Sequence, residues 1–104
     1  MYKPTDFIIA RDKIEQYLLK PGSEHFKEFI DAGYTVNDVE LLQQHIQQQF
    51  NINLATDFRV LHNKAIHFSI FMDLGVIGQE KRFRTVWRKD TPESIPRFIT
   101  AHRE

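Results

Sequence analysis

The sequence predicts an α+β fold, with an N-terminal helical layer of about three helices packed on a C-terminal four-stranded antiparallel sheet. Two observations carry this expectation. Apolar residues recur at i, i+3 and i+4 until about Phe50, and from Asp57 onward the period drops to two. No helical pattern interrupts the alternating runs, so they pair as a meander with the helices covering one face. At 104 residues with nine Phe, the chain suits one domain, 1–104, built round one core.

In the first helix, expected over 12–20, Ile14, Tyr17 and Leu18 form the apolar face, and Pro21-Gly22 ends it. Ser23 is the expected cap of a second helix carrying Phe26, Phe29 and Ile30, and Gly33 suits the left-handed position past its end. Thr35 or Asn37 caps a third helix to about Phe50, with Val39, Leu42 and Ile46 as its stripe. Its glutamines, Gln43, Gln44, Gln47, Gln48 and Gln49, read as solvated helix surface rather than as a low-complexity tract.

In the first strand Phe58 and Val60 alternate with Asp57, Arg59 and Leu61, and His62-Asn63-Lys64 makes a turn. A long half-buried strand follows over 65–74, and Gly75 and Gly78 frame the next connection. The third strand, 81–89, sets Phe83, Thr85 and Trp87 on one face against Arg82, Arg84, Val86 and Arg88 on the other. The last sets Phe98, Thr100 and His102 against Arg97, Ile99, Ala101 and Arg103. If Phe83 and Trp87 point inward, the arginines occupy the wetter face; a slip of one residue would reverse this.

Formal net charge is zero, which argues against a protein that coats nucleic acid by bulk electrostatics. The charge is nevertheless unevenly distributed: residues 1–56 hold 5 Lys and Arg against 8 Asp and Glu, residues 57–104 hold 9 against 6. The second half is therefore the anion-facing one. With no cysteine there is no disulfide or thiolate metal site. No apolar run nears the ~20 residues that span a bilayer, and no signal-peptide pattern opens the chain. Glycine-rich phosphate loops, serine nucleophile elbows and zinc-protease patterns are absent.

What chemistry the sequence suggests lies in its last quarter. Lys81, Arg82, Arg84, Arg88 and Lys89 crowd one strand without an acidic residue, and its neighbour ends in Thr100, His102 and Arg103. Cations, a hydroxyl and an imidazole together suit binding of a phosphodiester and movement of its proton. Trp87 reads as a core anchor before a base-stacking platform. Thr85 and Thr100 suit strands whether or not they touch phosphate, and His62 and His67 are a weak metal pattern.

Four blocks carry a resemblance: Lys13-Ile14 with Tyr17-Leu18-Leu19; Phe29 with Gly33-Tyr34; Arg84-Thr85-Val86-Trp87; and Pro96-Arg97-Phe98-Ile99-Thr100-Ala101-His102. In this order they resemble a family of small bacterial domains of undefined function found at the carboxyl ends of polymorphic and contact-dependent toxins. At the level of the expected fold, a helical layer before a four-stranded antiparallel sheet, the chain more distantly resembles the barnase-like and colicin-like toxin ribonucleases. The chain departs from the family pattern at His25, where a Lys is common, and at His102, where an aromatic is usual.

The resemblance implies a toxin-type, metal-independent endoribonuclease acting on RNA, tRNA included, with no cofactor. The catalytic candidates are His25, Arg84, Thr100 and His102, and the RNA-binding candidates Lys81, Arg82, Thr85, Arg88 and Arg97; the choice of His25 and His102 rests on their chemistry, because the family pattern differs at both. Histidine suits the proton steps because its unperturbed pKa is about 6.5, and a helix amino terminus at His25 would favour phosphate. An immunity or antitoxin protein is the implied partner and the cytoplasm the implied site of action, with the domain carried by a larger exported protein. The rival expectation is a non-enzymatic protein- or RNA-binding module.

Overall fold

A computed structural model describes residues 3–104. Three α-helices, α1 (Arg11–Lys13), α2 (Phe26–Asp31) and α3 (Val39–Gln49), precede four strands, β1 (Thr56–Val60), β2 (Ile66–Leu74), β3 (Lys81–Lys89) and β4 (Arg97–Arg103). The strands form one antiparallel sheet in the order β1-β2-β3-β4. The expected α+β architecture is the observed one.

The first helix departs from regularity. After α1 the chain widens into a π-helical turn, Ile14–Leu18, closed by Leu19 N–H donating to the Ile14 carbonyl at 2.8 Å. The wider turn brings Leu19 inward beside Ile14 and Leu18, and all three are buried, while Tyr17 stays partly exposed. Helix α2 begins at Phe26 with His25 at its N-cap, and Ser23 makes no side-chain cap. Neither Thr35 nor Asn37 caps α3: Asp38 occupies that position, and its carboxylate accepts the Thr35 N–H at 2.7 Å.

Gly33 adopts φ +93° past the end of α2, with Tyr34 N–H donating to the Phe29 carbonyl at 3.1 Å. A Cβ there would lie 2.3 Å from Val76 Cγ2, so the glycine also permits contact with the β2–β3 connection.

The core lies between the helices and one sheet face. Trp87 is fully buried at its centre, ringed by Phe7, Phe50 and Phe98 at centroid distances of 5.3, 4.5 and 5.4 Å. Its indole N–H donates to Thr85 Oγ1 at 2.7 Å, and that hydroxyl donates to the Ile70 carbonyl at 2.6 Å. A buried donor thus finds its partner through a buried threonine. Trp87 is the core anchor.

The two edges of the sheet differ. Ile8 bridges β4 in parallel, accepting from Phe98 N–H at 2.9 Å and donating to the Pro96 carbonyl at 2.8 Å. Strand β1, by contrast, is exposed along its whole length. Phe58 and Val60 stay 60% and 74% exposed because the helical layer does not extend over this edge. Asp57 takes a left-handed φ of 55° where the β1–β2 register shifts, which breaks the regular alternation.

Candidate functional site

The sheet face turned away from the helices carries the polar groups. Phe83, Thr85 and Trp87 point into the core, so Arg82, Arg84 and Arg88 occupy the opposite, open face. Strand β4 does not alternate simply. A register shift after Val86 leaves Ile99 as an extra residue, with Phe98 opposite Trp87 and Thr100 opposite Val86. The expected grouping of Phe98 with Thr100 and His102 therefore does not hold: Phe98 and Ala101 are buried, and Thr100 and His102 join the arginines.

Two rows cross the open face. Phe71, Arg84 and His102 are successive cross-strand partners on β2, β3 and β4. Arg59, His67, Arg88 and Arg97 form a second row across all four strands. Arg88 and Arg97 share one counter-ion, Asp90, at 2.9 and 3.3 Å. Two members of the expected RNA-binding group lie elsewhere. Thr85 is fully buried with its hydroxyl committed to Trp87 and Ile70, so it is unable to reach a phosphate. Lys81 pairs with buried Leu74 at the end of β3 and by alternation belongs to the helix side.

His25 comes to the first row from outside the sheet. The N-terminus of α2 lies along the outer edge of β4, where Glu28 Oε2 accepts the Arg103 backbone N–H at 3.2 Å. The other oxygen, Oε1, accepts from His25 Nδ1 at 2.6 Å. An ionised carboxylate only accepts, so in the neutral ring this contact puts the proton on Nδ1 and leaves Nε2 as the acceptor, 4.0 Å from the Glu24 carboxylate. The His25 ring is then 5.7 Å from that of His102, inclined by 33°. Because α2 has only six residues, the carboxylate of Glu28 rather than a helix dipole dominates the electrostatics around His25. The sequence reading missed Glu28, although its i+3 spacing from His25 on a helix was the available signal.

Arg84 stands between His102 and the β1 side. Its Nε donates to Ser69 Oγ at 2.8 Å and its Nη2 lies 3.4 Å from Asp57 Oδ2, so the guanidinium reaches toward β2 and β1. Together with Arg59, Ser69, Asp57 and His67 it borders a depression of about 190 Å³. His67 Nε2 and Thr100 Oγ1 are buried atoms with no hydrogen-bond partner among the described residues. The structure thus brings His25 and His102 together, with Arg84 directly across from His102 and Thr100 two residues along the same strand face. Such a face can hold an anion between guanidinium groups and present it to two imidazoles.

Away from this face, Tyr34 is buried and shares a hydrogen bond of 2.6 Å with His45 Nδ1; burial pushes its phenol above the ordinary tyrosine range. Among the described residues no three His, Cys, Asp or Glu side chains gather as a metal-ligand set, and no helix is long and apolar enough to cross a membrane.

Residues 4–104 match the family described as Domain of unknown function (DUF6883), and the chain belongs to that family. No curated protein and no solved structure matches it.

Proposed function

We propose that this DUF6883 chain is a toxin-type endoribonuclease that cleaves RNA, tRNA included, without a metal. The observation that carries the reading is the pair of imidazoles, His25 and His102, at 5.7 Å beside the cross-strand partner Arg84. In the proposed reaction His25 Nε2 takes the 2′-hydroxyl proton, and the 2′-oxygen attacks phosphorus. The bond to the 5′-oxygen breaks as protonated His102 gives that oxygen a proton, leaving a 2′,3′-cyclic phosphate. Glu28 keeps the His25 ring in the accepting tautomer. Arg84 holds the non-bridging oxygens, Thr100 lies beneath them with its hydroxyl buried, and Arg82, Arg88 and Arg97 draw in the backbone.

The toxin context rests on the resemblance of the four sequence blocks. With it come a cytoplasmic site of action, carriage by a larger exported protein and an immunity or antitoxin partner that covers the open face. The test is incubation of the purified protein with total RNA and tRNA in chelator. Cyclic-phosphate ends are expected, and His25→Ala or His102→Ala should each slow cleavage by about 10²- to 10⁴-fold. Intact RNA, or cleavage indifferent to both substitutions, would overturn the proposal.

One observation favours a second reading, a module that binds RNA or an acidic protein without cutting it. Arg84 is already neutralised in part by Asp57 at 3.4 Å, which suits a static binding face. RNA retained without cleavage products would decide for this module.

A further inference from the structure

The row that carries Arg84 and His102 continues, on the other side of Arg84, to an aromatic ring. Phe71 is the cross-strand partner of Arg84 and lies partly exposed on the open face, unlike the aromatics of the core. Beside it opens a depression of about 480 Å³ bounded by Gln49, Leu54, Thr56, Phe71 and Arg82. That volume falls within the ~300–1,000 Å³ typical of small-ligand clefts.

Its walls are suited to a flat heterocycle. Leu54 is 59% exposed and supplies an aliphatic side. The Arg82 guanidinium lies over the Phe71 ring, 5.6 Å from its centroid, and pairs with Asp73 at 3.5 Å; both charged side chains are exposed, so a base reaches the ring as the guanidinium swings aside to cap it. The floor is stiff at one end, because Gln49 pairs its amide with both backbone groups of Asp73. This is the side-chain substitute for a strand that β1 is too short to provide there.

Distance decides what fits. Neighbouring strands are about 4.8 Å apart, so the Phe71 and His102 backbones are about 10 Å apart with Arg84 midway. A nucleotide with its base on Phe71 covers the first half of that interval and sets its phosphate at Arg84, whose guanidinium reaches back over β2 toward Ser69 and Asp57. We infer that the Phe71 depression is a nucleobase subsite, and that the site therefore takes RNA whose base at this position is unpaired. A base held inside a duplex stacks on its neighbours and is unable to enter. The inference deepens the proposed function and rests on RNA being the ligand.

Binding tests it apart from cleavage. In a His25→Ala/His102→Ala background, fluorescence anisotropy would measure affinity for a labelled single-stranded oligoribonucleotide, the same strand with abasic positions, and a duplex. Phe71→Ala is expected to weaken single-strand binding about tenfold, with little effect on the duplex or the abasic strand. Phe71→Leu keeps apolar bulk and should lose a similar factor, whereas Phe71→Trp should restore binding. Equal loss for single strand and duplex, or no loss for either, overturns the subsite. Phe71-sensitive binding in a wild-type protein that never cleaves would sink the nuclease reading and leave the subsite standing. Cleavage with Phe71-insensitive binding would do the reverse, and absence of any RNA binding would remove both.

Discussion

Glu28 holds His25 and the end of β4 at once, one carboxylate oxygen 2.6 Å from the imidazole Nδ1 and the other 3.2 Å from the Arg103 backbone N–H. The contact to His25 is part-buried, so it is sheltered from competing water, whereas the contact to Arg103 is exposed. The carboxylate couples the position of an imidazole on α2 to the strand bearing the other imidazole. Glu28→Ala should therefore slow RNA cleavage by up to about 100-fold through misplacement of His25. Glu28→Gln, which keeps an acceptor oxygen, should slow it less. The expected split is between the two variants' kcat values, with circular dichroism confirming an unchanged fold.

Thr85 is a support for Trp87 rather than a ligand. Thr85→Val removes the hydroxyl and leaves the buried indole N–H without its 2.7 Å acceptor. A loss of about 1–3 kcal/mol in unfolding free energy is expected, and Trp87→Ala should cost about 3–5 kcal/mol. Urea melts followed by circular dichroism check both values. A Thr85→Val protein as stable as the parent would show that the indole finds another acceptor.

Two glycines with similar backbone angles offer a contrast. Gly22 and Gly33 have φ of +88° and +93°, but a Cβ at Gly22 meets nothing within 4 Å, whereas at Gly33 it would strike Val76. Gly22→Ala should cost about 1 kcal/mol from backbone conformation alone. Gly33→Ala should cost a further 1–3 kcal/mol from overpacking. Thermal melts of the pair separate the two contributions.

The raised ionisation of Tyr34 gives a pH dependence of stability. Burial holds the phenol protonated in the folded state, while the unfolded chain ionises it near the ordinary value of about 10. Above that pH the unfolded state binds fewer protons than the folded one, so stability is complete below about pH 10 and declines as pH rises further. Tyr34→Phe should flatten this alkaline limb when stability is followed from pH 8 to about pH 11.

The strands were legible where one face is buried throughout. Along β2 and β3, alternation grouped Arg82, Arg84 and Arg88 on one face, and the burial of Phe83 and Trp87 opposite Met72 and Phe68 makes that face the outward one. It failed at β4, where one inserted residue moves Thr100 and His102 to the other face, and insertion leaves no periodic signature in seven residues. At β1 it marked the strand but not its burial, since Phe58 and Val60 have strand-like chemistry yet lie beyond the cover of the helices. Glu28 was hidden for a related reason. A carboxylate one turn along a helix resembles ordinary surface charge until the neighbouring strand end is known.

The pairing of Ile8 with Pro96 and Phe98 ties the opening segment of the chain to its closing strand. A nascent polypeptide is unable to make that junction until Pro96 and Phe98 have been added. The aromatic cluster around Trp87, which includes Phe7, must stay open until then. Closure of the fold therefore waits for β4, and removal of Pro96 and the strand after it would leave the aromatic cluster uncovered.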